Sequence, residues 1–150
     1  MRRLLLLALL ASCGGGSSQD SEISNQSITR VLVHAYAGSI QITTHASGDA
    51  LLEAETGEPN DLDEFMVFKV TDGVLNVRPV DDALEWEMTI ELTLPELVEL
   101  EVAAQKAAVQ VEGTYKALNL NTTAGDLDVH VERVGSVSIQ SAKGRVAFST

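Results

Sequence analysis

The sequence predicts an all-β fold organised as a solenoid-like stack of short strands. The prediction starts from residues 118–120 and 127–131, where apolar and polar residues alternate with period two, as in strands with one buried face. Between them a polar bend ends in Gly125, just before the second strand, where the backbone needs the freedom to adopt positive φ. Two strands and one bend therefore make a unit.

The same unit returns directly afterwards. Residues 137–139 form the first strand, a polar bend ends in Gly144, and residues 146–148 form the second strand. A repeat of about 20 residues made of short strands is typical of a solenoid, in which each coil packs on the previous one.

The repeat also extends towards the N-terminus. An earlier copy of the unit comprises residues 100–102 and 109–111, with Ala107 in the place of Gly125. The step from this copy to the first unit is one residue shorter than the step from the first unit to the following one. A more distant copy comprises residues 31–33, a bend through Gly38, and residues 40–42. A β-sandwich with regularly spaced strands is the alternative that the pattern leaves open.

Composition and charge bound the core and the partners. The chain has 150 residues, enough for one domain, and only 4% are aromatic, so Val, Leu, Ile and Ala must fill its core. The net charge is −12, and loss of Arg2 and Arg3 with a leader would make it −14. Such a surface repels phosphates, so we expect no nucleic-acid partner. The single cysteine excludes an internal disulfide.

The N-terminus has the features of a bacterial lipoprotein signal peptide. A basic start precedes eight apolar residues (4–11), too few to cross a bilayer core that needs roughly 20. Residues 10–13, Leu-Ala-Ser-Cys, resemble a lipobox, whose cysteine is lipidated on sulfur and becomes the mature N-terminus. We predict a signal peptide over residues 1–12 and a diacylglyceryl and palmitate anchor on Cys13. The alternative is a plain signal peptide with an incidental cysteine.

A tether is predicted next, over residues 13–27. The segment is rich in Gly, Ser, Gln and Asn and would reach roughly 20 Å. Gly14, directly after the cysteine, resembles the residue at that position in lipoproteins that diderm bacteria send to the outer membrane by default. We therefore expect lipid anchoring in the bacterial cell envelope, at the outer membrane, with a folded β-solenoid domain over residues 28–150.

Further strands are predicted within that domain. Residues 65–71 and 74–78, joined by Asp72-Gly73 and closed by Pro79, carry the clearest hairpin signal. Segment 96–108 favours helix by propensity, but its apolar residues keep the register of the repeat, so we predict strand. The other predicted strands are 28–35, 39–44, 51–55 and 88–94, with acidic loops at 57–64 and 81–87 and a break at Pro95.

The arrangement resembles the bacterial putative-adhesin domain of unknown function, a family related to the head domains of auto-transporter adhesins. The resemblance rests on the strand ending at residues 94–95, the strand 97–102, and the coils centred on residues 125–127 and 144–146. It covers roughly residues 28–150 and implies a right-handed β-helix. It brings no catalytic residues. The chain departs from the family pattern at Ala107, where the glycine is missing, and in its small number of coils.

The polar residues give few candidate sites. His34 and His130 are predicted to point outward from strands and His45 to end a strand, as solvent-facing residues rather than metal ligands. A second set of outward-pointing side chains is acidic and is predicted to form a solvated face rather than a metal site. Neighbouring side chains on one face of a strand stand roughly 6.5–7 Å apart, too far to chelate an ion unaided. This set is Asp126, Asp128 and Glu132.

Acidic loops and aromatic residues complete the candidates. The loops could hold Ca²⁺, but they lack the glycine and spacing of an EF-hand, so we expect a solubilising role, no metal and no cofactor. Among Trp86, Tyr36 and Tyr115, Trp86 is the best candidate for a ligand contact, although core packing is the role that we expect for it.

Together these features predict a non-enzymatic envelope lipoprotein that presents a β-solenoid for interaction with other envelope or surface molecules. Its key residues would be Cys13 as the anchor and Gly38, Gly125 and Gly144 as fold-setting turns. The alternatives are a β-helix enzyme acting on polysaccharide and an accessory or regulatory envelope protein. Because the last strand carries Phe148, we expect the hairpin of residues 65–78 to cover it or another chain to pair with it, in weak self-association.

Overall fold

The computed structural model describes residues 2–9, 27–46, 50–56, 66–81 and 85–150. In this part of the chain nine strands form one sheet, so the all-β prediction is confirmed. Among the same residues, no helix of the length and apolarity needed to span a membrane is found. The strands are β1 Arg2–Leu9, β2 Arg30–His45, β3 Ala50–Thr56, β4 Met66–Thr71, β5 Val74–Pro79, β6 Glu87–Pro95, β7 Val98–Thr122, β8 Leu127–Ser141 and β9 Val146–Ser149.

Parallel pairing dominates the sheet, whose order is β1-β3-β6-β2-β7-β8-β9, with the β4–β5 hairpin attached to β2. Strand β2 is central: its first half pairs with β5, its second half pairs with β6, and nearly all of it pairs with β7 on the other side. The segment 96–108, which propensity favoured as helix, lies mostly in β7, so the prediction of strand is confirmed.

The predicted repeat register is confirmed by the strand pairing. The apolar positions of each unit are direct partners of those in the next: Val31 with Leu100, Ile40 with Val109, Val109 with Leu127, Leu118 with Val137, and Leu127 with Val146. The step between coils lengthens by a single position at an irregularity of the β7–β8 pair, where Gly113 faces Val131 but Thr114 faces Arg133. Glu132 is the extra residue of this bulge. The right-handed β-helix stays a prediction.

The core is aliphatic, as the composition predicted. Alternate residues of β2, β6, β7 and β8 are buried, among them Val33, Ile42, Leu92, Val102 and Val129. Burying one such side chain stabilises the fold by about 1.5–3 kcal/mol. The intervening residues form the polar outer surface of the sheet.

The predicted hairpin is present as β4 and β5. Its turn residues, Asp72 and Gly73, have φ values of 52° and 78°, as a tight type I′ turn requires. The expectation that this hairpin covers Phe148 is wrong. Strand β5 pairs with β2, and buries Leu75 and Val77 there, so that β7 and β8 separate it from β9. Phe148 is 46% exposed.

The glycines of the repeat stand in one column, but positive φ explains only the first. Gly38 has φ +110°, as expected, whereas Gly125 and Gly144 do not adopt positive φ, so that expectation is wrong for them. They lie instead where the backbones of successive coils approach closely. A Cβ atom on Gly125 would overlap the carbonyl group of Ala107, and one on Gly144 would overlap that of Gly125.

The predicted signal peptide contains β1, which pairs antiparallel with β3 at the edge of the sheet. Its removal stays a prediction. Residues 10–26, including Cys13 and most of the tether, lie outside the described residues.

Candidate functional site

A cleft of about 290 Å³ opens on the outer face, where β2 and β7 lie side by side. His34 pairs with Ala103, and the neighbouring residue Ala104 accepts a hydrogen bond from the Thr123 N–H at 3.1 Å. This bond places Asn121 beside Ala103 in the next coil. Because Ala103 carries only a methyl group, a recess remains between His34 and Asn121, which lie two strand spacings, about 9.5 Å, apart.

The cleft lining combines polar side chains with small apolar ones. The polar members are His34, Tyr36, Gln105, Asn121 and Thr123, and the apolar members are Ala35, Pro79, Ala103 and Ala104. Imidazole, amide and hydroxyl groups can each both donate and accept hydrogen bonds. The cleft can therefore bind a polar molecule that has an apolar side.

A narrow crevice continues from the cleft towards Trp86. His34, Tyr36 and Pro79 line both spaces, and the crevice, about 10 Å³ in volume, is at most large enough for a water molecule. Trp86 is half-buried and packs against the core. The residue predicted as the best contact thus lies beside the cleft rather than in it, and Tyr36 stands between the two.

Lys106 holds the Tyr36 side chain at the rim of the cleft. Its Nζ donates a hydrogen bond to the Tyr36 hydroxyl at 3.0 Å and lies 5.1 Å from the centre of the tyrosine ring. The hydrogen bond to Tyr36, together with attraction by the Glu85 carboxylate, raises the pKa of Lys106. The ammonium group therefore stays charged, and its charge is partly balanced by its neighbours.

A second groove, of about 270 Å³, lies around Ala117 on the same outer face, and it has a different character. Arg30 pairs with Glu101 at 2.8 Å, and Lys116 pairs with Glu99 at 2.7 Å. The hydrogen bond from Lys116 lowers the pKa of Glu99, with smaller contributions from the positive charges of Lys116 and Arg30. In this groove the charged groups already satisfy one another.

The histidines do not form a common site. His34 lines the cleft, His45 ends β2 on a half-buried position, and exposed His130 lies with its Nδ1 2.7 Å from the Ser149 hydroxyl. Across the described residues, no group of three or more His, Cys, Asp or Glu side chains is arranged to hold a metal ion.

One of the three outward carboxylates, Asp126, makes a contact with the next repeat unit. Asp126 accepts a hydrogen bond from the backbone N–H of Arg145 at 2.8 Å, so the two positions are neighbours as the repeat register predicts. The contact uses the backbone amide of Arg145 rather than its guanidinium group. Asp128 and Glu132 are exposed. Of the acidic-loop residues, Asp61, Asp63, Glu64 and Asp82 lie outside the described residues.

Tyr115 belongs to the core rather than to a binding surface. It is 1% exposed, and its hydroxyl donates a hydrogen bond to the Glu112 carbonyl at 2.9 Å. Burial raises the pKa of this hydroxyl. The three aromatic residues thus occupy different places. Tyr36 and Trp86 stand at the cleft and its crevice, and Tyr115 fills the interior.

Sequence reasoning missed Gln105, Asn121 and Thr123. The signal was present in the repeat, because one coil length separates position 103 from position 121, and the same register places 103 beside 34. An alanine between two larger polar residues in that column predicts a recess. The pattern becomes visible when the polar positions, like the apolar ones, are compared across successive repeat units.

Comparison with known proteins connects this chain to others through its fold. No protein-family model matches the sequence, and no curated protein is similar to it in sequence. The structure is similar to that of a putative cell adhesion protein from Clostridium sporogenes, with a TM-score of 0.53 and 9% identity, over 83% of this chain and 93% of that chain. A putative adhesin from Parabacteroides distasonis matches with a TM-score of 0.43 and 14% identity, over 79% of this chain and 62% of that one. The first of these similarities shows that the chain shares the overall fold of that cell adhesion protein.

Proposed function

We propose that the chain is a non-enzymatic lipoprotein of the bacterial cell envelope whose β-domain binds other envelope or surface molecules. In this proposal Cys13 carries the lipid anchor at the outer membrane, residues 13–27 form the tether, and residues 28–150 form a right-handed β-helix. The cleft beside His34 and Tyr36 is its binding site.

The cleft is the observation that carries the proposal. It is open on the outer face of the sheet, and its lining offers amide, hydroxyl and imidazole groups together with apolar surface. Such groups can hold a polar ligand through hydrogen bonds. The fold similarity to a cell adhesion protein supports a role of the same class.

A β-helix enzyme acting on polysaccharide is the alternative with a distinct readout. Hydrolysis of glycosidic bonds generally uses two carboxylates flanking the bond, whereas amides and an imidazole line the cleft. Incubation of the purified chain with cell-wall glycans should release no new reducing ends. A steady, chain-dependent release would establish the enzyme and overturn the binding role. An accessory or regulatory role would differ only in the partner bound.

Binding itself is tested with fluorescently labelled chain and isolated envelopes. We expect saturable binding that Gln105→Ala together with Asn121→Ala weakens by at least about tenfold, which corresponds to a loss of about 1.4 kcal/mol or more. Asn119→Ala is the matched control, because it is the same residue type on the same strand face but lines the second groove. Equal loss in the control would remove the cleft from the proposal.

The anchor makes a prediction of its own. Cys13→Ser should stop incorporation of labelled fatty acid and release the protein from the membrane fraction, because the thiol is the acceptor of the lipid. Its thermal unfolding should match that of the parent protein, since a tether separates the anchor from the domain. Continued labelling of Cys13→Ser would contradict the lipoprotein proposal.

Weak self-association is proposed at β9, where Val146 is 44% exposed beside Phe148. Sedimentation across a dilution series measures it. A strict monomer at all concentrations would remove this partner from the proposal.

A further inference from the structure

We propose that the cleft between His34 and Asn121 binds one or two rings of a neutral saccharide. The inference rests on the proposed binding function and names its ligand class. Three properties of the cleft lead to it: the kind of polar groups, the balance of charge, and the apolar floor.

The polar groups match the hydroxyls of a sugar. Gln105 and Asn121 each carry an amide that donates two hydrogen bonds and accepts two, and the Thr123 hydroxyl and the His34 ring both donate and accept. A sugar hydroxyl does the same, so adjacent hydroxyls of one ring can each find a partner around this recess. A ligand with only acceptors, such as a phosphate, would leave the amide oxygens unpaired.

The balance of charge excludes a strongly anionic ligand. Lys106, at the rim, already donates to the Tyr36 hydroxyl and is attracted by Glu85. The chain as a whole carries a net charge of −12, which repels anions from its surface. A neutral ligand approaches without this cost.

The floor suits the apolar side of a sugar ring. Ala103 supplies a methyl group, Pro79 lies along one side, and the ring of Tyr36 stands at the rim. The axial C–H groups of a pyranose give it an apolar face, which packs on such surfaces while its hydroxyls reach the polar groups around them. A volume of about 290 Å³, just below the usual range for ligand pockets, favours one or two rings over a longer enclosed chain.

Trp86 provides a built-in probe, because it is the single tryptophan of the chain and lies in the crevice that adjoins the cleft. Its fluorescence is titrated in the full-length chain with neutral oligosaccharides, namely cellotetraose, maltotetraose, mannotetraose and N-acetylchitotetraose, and with tetragalacturonate as the anionic counterpart. We expect a saturable change with at least one neutral oligosaccharide, and binding of the uronate weaker by about tenfold or more.

Variants then locate the binding. Gln105→Ala and Asn121→Ala should each weaken the neutral oligosaccharide about tenfold, and Asn119→Ala should leave it unchanged. Thermal unfolding of each variant, matched to the parent chain, shows that the loss is local. Unchanged affinity in both cleft variants would overturn the proposal, because binding would then lie elsewhere.

Two other results would also overturn it, and they separate it from the proposed function. No saturable change with any neutral oligosaccharide up to roughly 10 mM, a concentration at which even weak sites fill, would reject a saccharide ligand. Uronate binding as tight as neutral binding would reject the charge argument. If envelope binding still depended on Gln105 and Asn121 in either case, the adhesive function would stand with another class of ligand, such as a protein.

Discussion

The repeat units turn at two kinds of corner, and these two corners differ in how they are built. At the first, the glycine corner, the same kind of contact returns in every coil: Gly38, Ala107, Gly125 and Gly144 stand in one column, and the three glycines lie against the backbone of a neighbouring strand. At the other corner, around Tyr115, the contacts are not repeated, since the partner of Tyr115 in the next unit is Val134. Gly113 adopts φ +119°, and the Thr114 N–H donates to the Thr44 hydroxyl at 2.8 Å.

The difference shows which constraints leave a trace in a sequence. The backbones of successive repeat units approach closely at a regular interval along the chain. This approach selects a small residue once in every unit, so the sequence shows the period. The other corner depends on one tyrosine and one threonine. Because it occurs once, it produces no repeated pattern in the sequence. The glycine corner was therefore predicted, and the Tyr115 corner was not.

The largest expected effect comes from removing the buried Tyr115 side chain at the second corner. Tyr115→Ala deletes a ring that is 1% exposed and should lower the free energy of unfolding by about 3–5 kcal/mol. Urea denaturation of the full chain measures it. Tyr36→Ala, at the half-buried rim of the cleft, is the control and should cost clearly less. Equal losses would mean that the Tyr115 corner is no more critical than the surface.

The glycine corner should resist bulk for a steric reason. Gly125→Val places side-chain atoms against the Ala107 carbonyl and should lower the free energy of unfolding by about 1–3 kcal/mol, as overpacking does. Ser138→Val, on an exposed position of β8, should change stability little. Melting temperatures measured side by side decide it. A tolerant Gly125 would show that the coils can separate at this corner and that its glycines do not set the fold.

The same contrast explains how much the sequence could predict. Alternation in residues 127–131 and the regular step from coil to coil predicted strands, register and the buried positions, because backbone pairing forces that period on the apolar residues. The same step held the information for the cleft, whose recess needs Ala103 between His34 and Asn121. The repeat shows the change of step but not where the extra residue lies, so the location of the bulge at Gly113 could not be predicted. The hydrogen bonds of Tyr115 could not be predicted either, because each is a single contact outside the repeat.

Alkaline pH should act on the Tyr115 corner specifically. Burial raises the pKa of Tyr115 above its ordinary value, so the unfolded chain loses this proton first as pH rises. The contribution of the protonated Tyr115 hydroxyl to the free energy of unfolding is complete below about pH 10. Above that pH it is lost, with a slope of up to about 1.4 kcal/mol per pH unit. Tyr115→Phe should lack this slope, whereas Tyr36→Phe should keep it. Urea midpoints from roughly pH 8 to pH 12 measure the difference. Identical slopes in the two variants would assign the loss to other groups.

The smallest effect concerns the contact between the last two units at the glycine corner. Because Asp126 accepts from the backbone N–H of Arg145, the side chain of Arg145 is not needed for the contact. Asp126→Ala should cost at most about 1 kcal/mol, Arg145→Gln almost nothing, and the double variant should show no coupling between them. The cycle is measured by urea denaturation at low and at high salt, since an ion pair would be screened. Coupling of about 0.5–1 kcal/mol that disappears at high salt would restore the side-chain ion pair. It would also show that this corner is held by charge as well as by the close approach of its backbones.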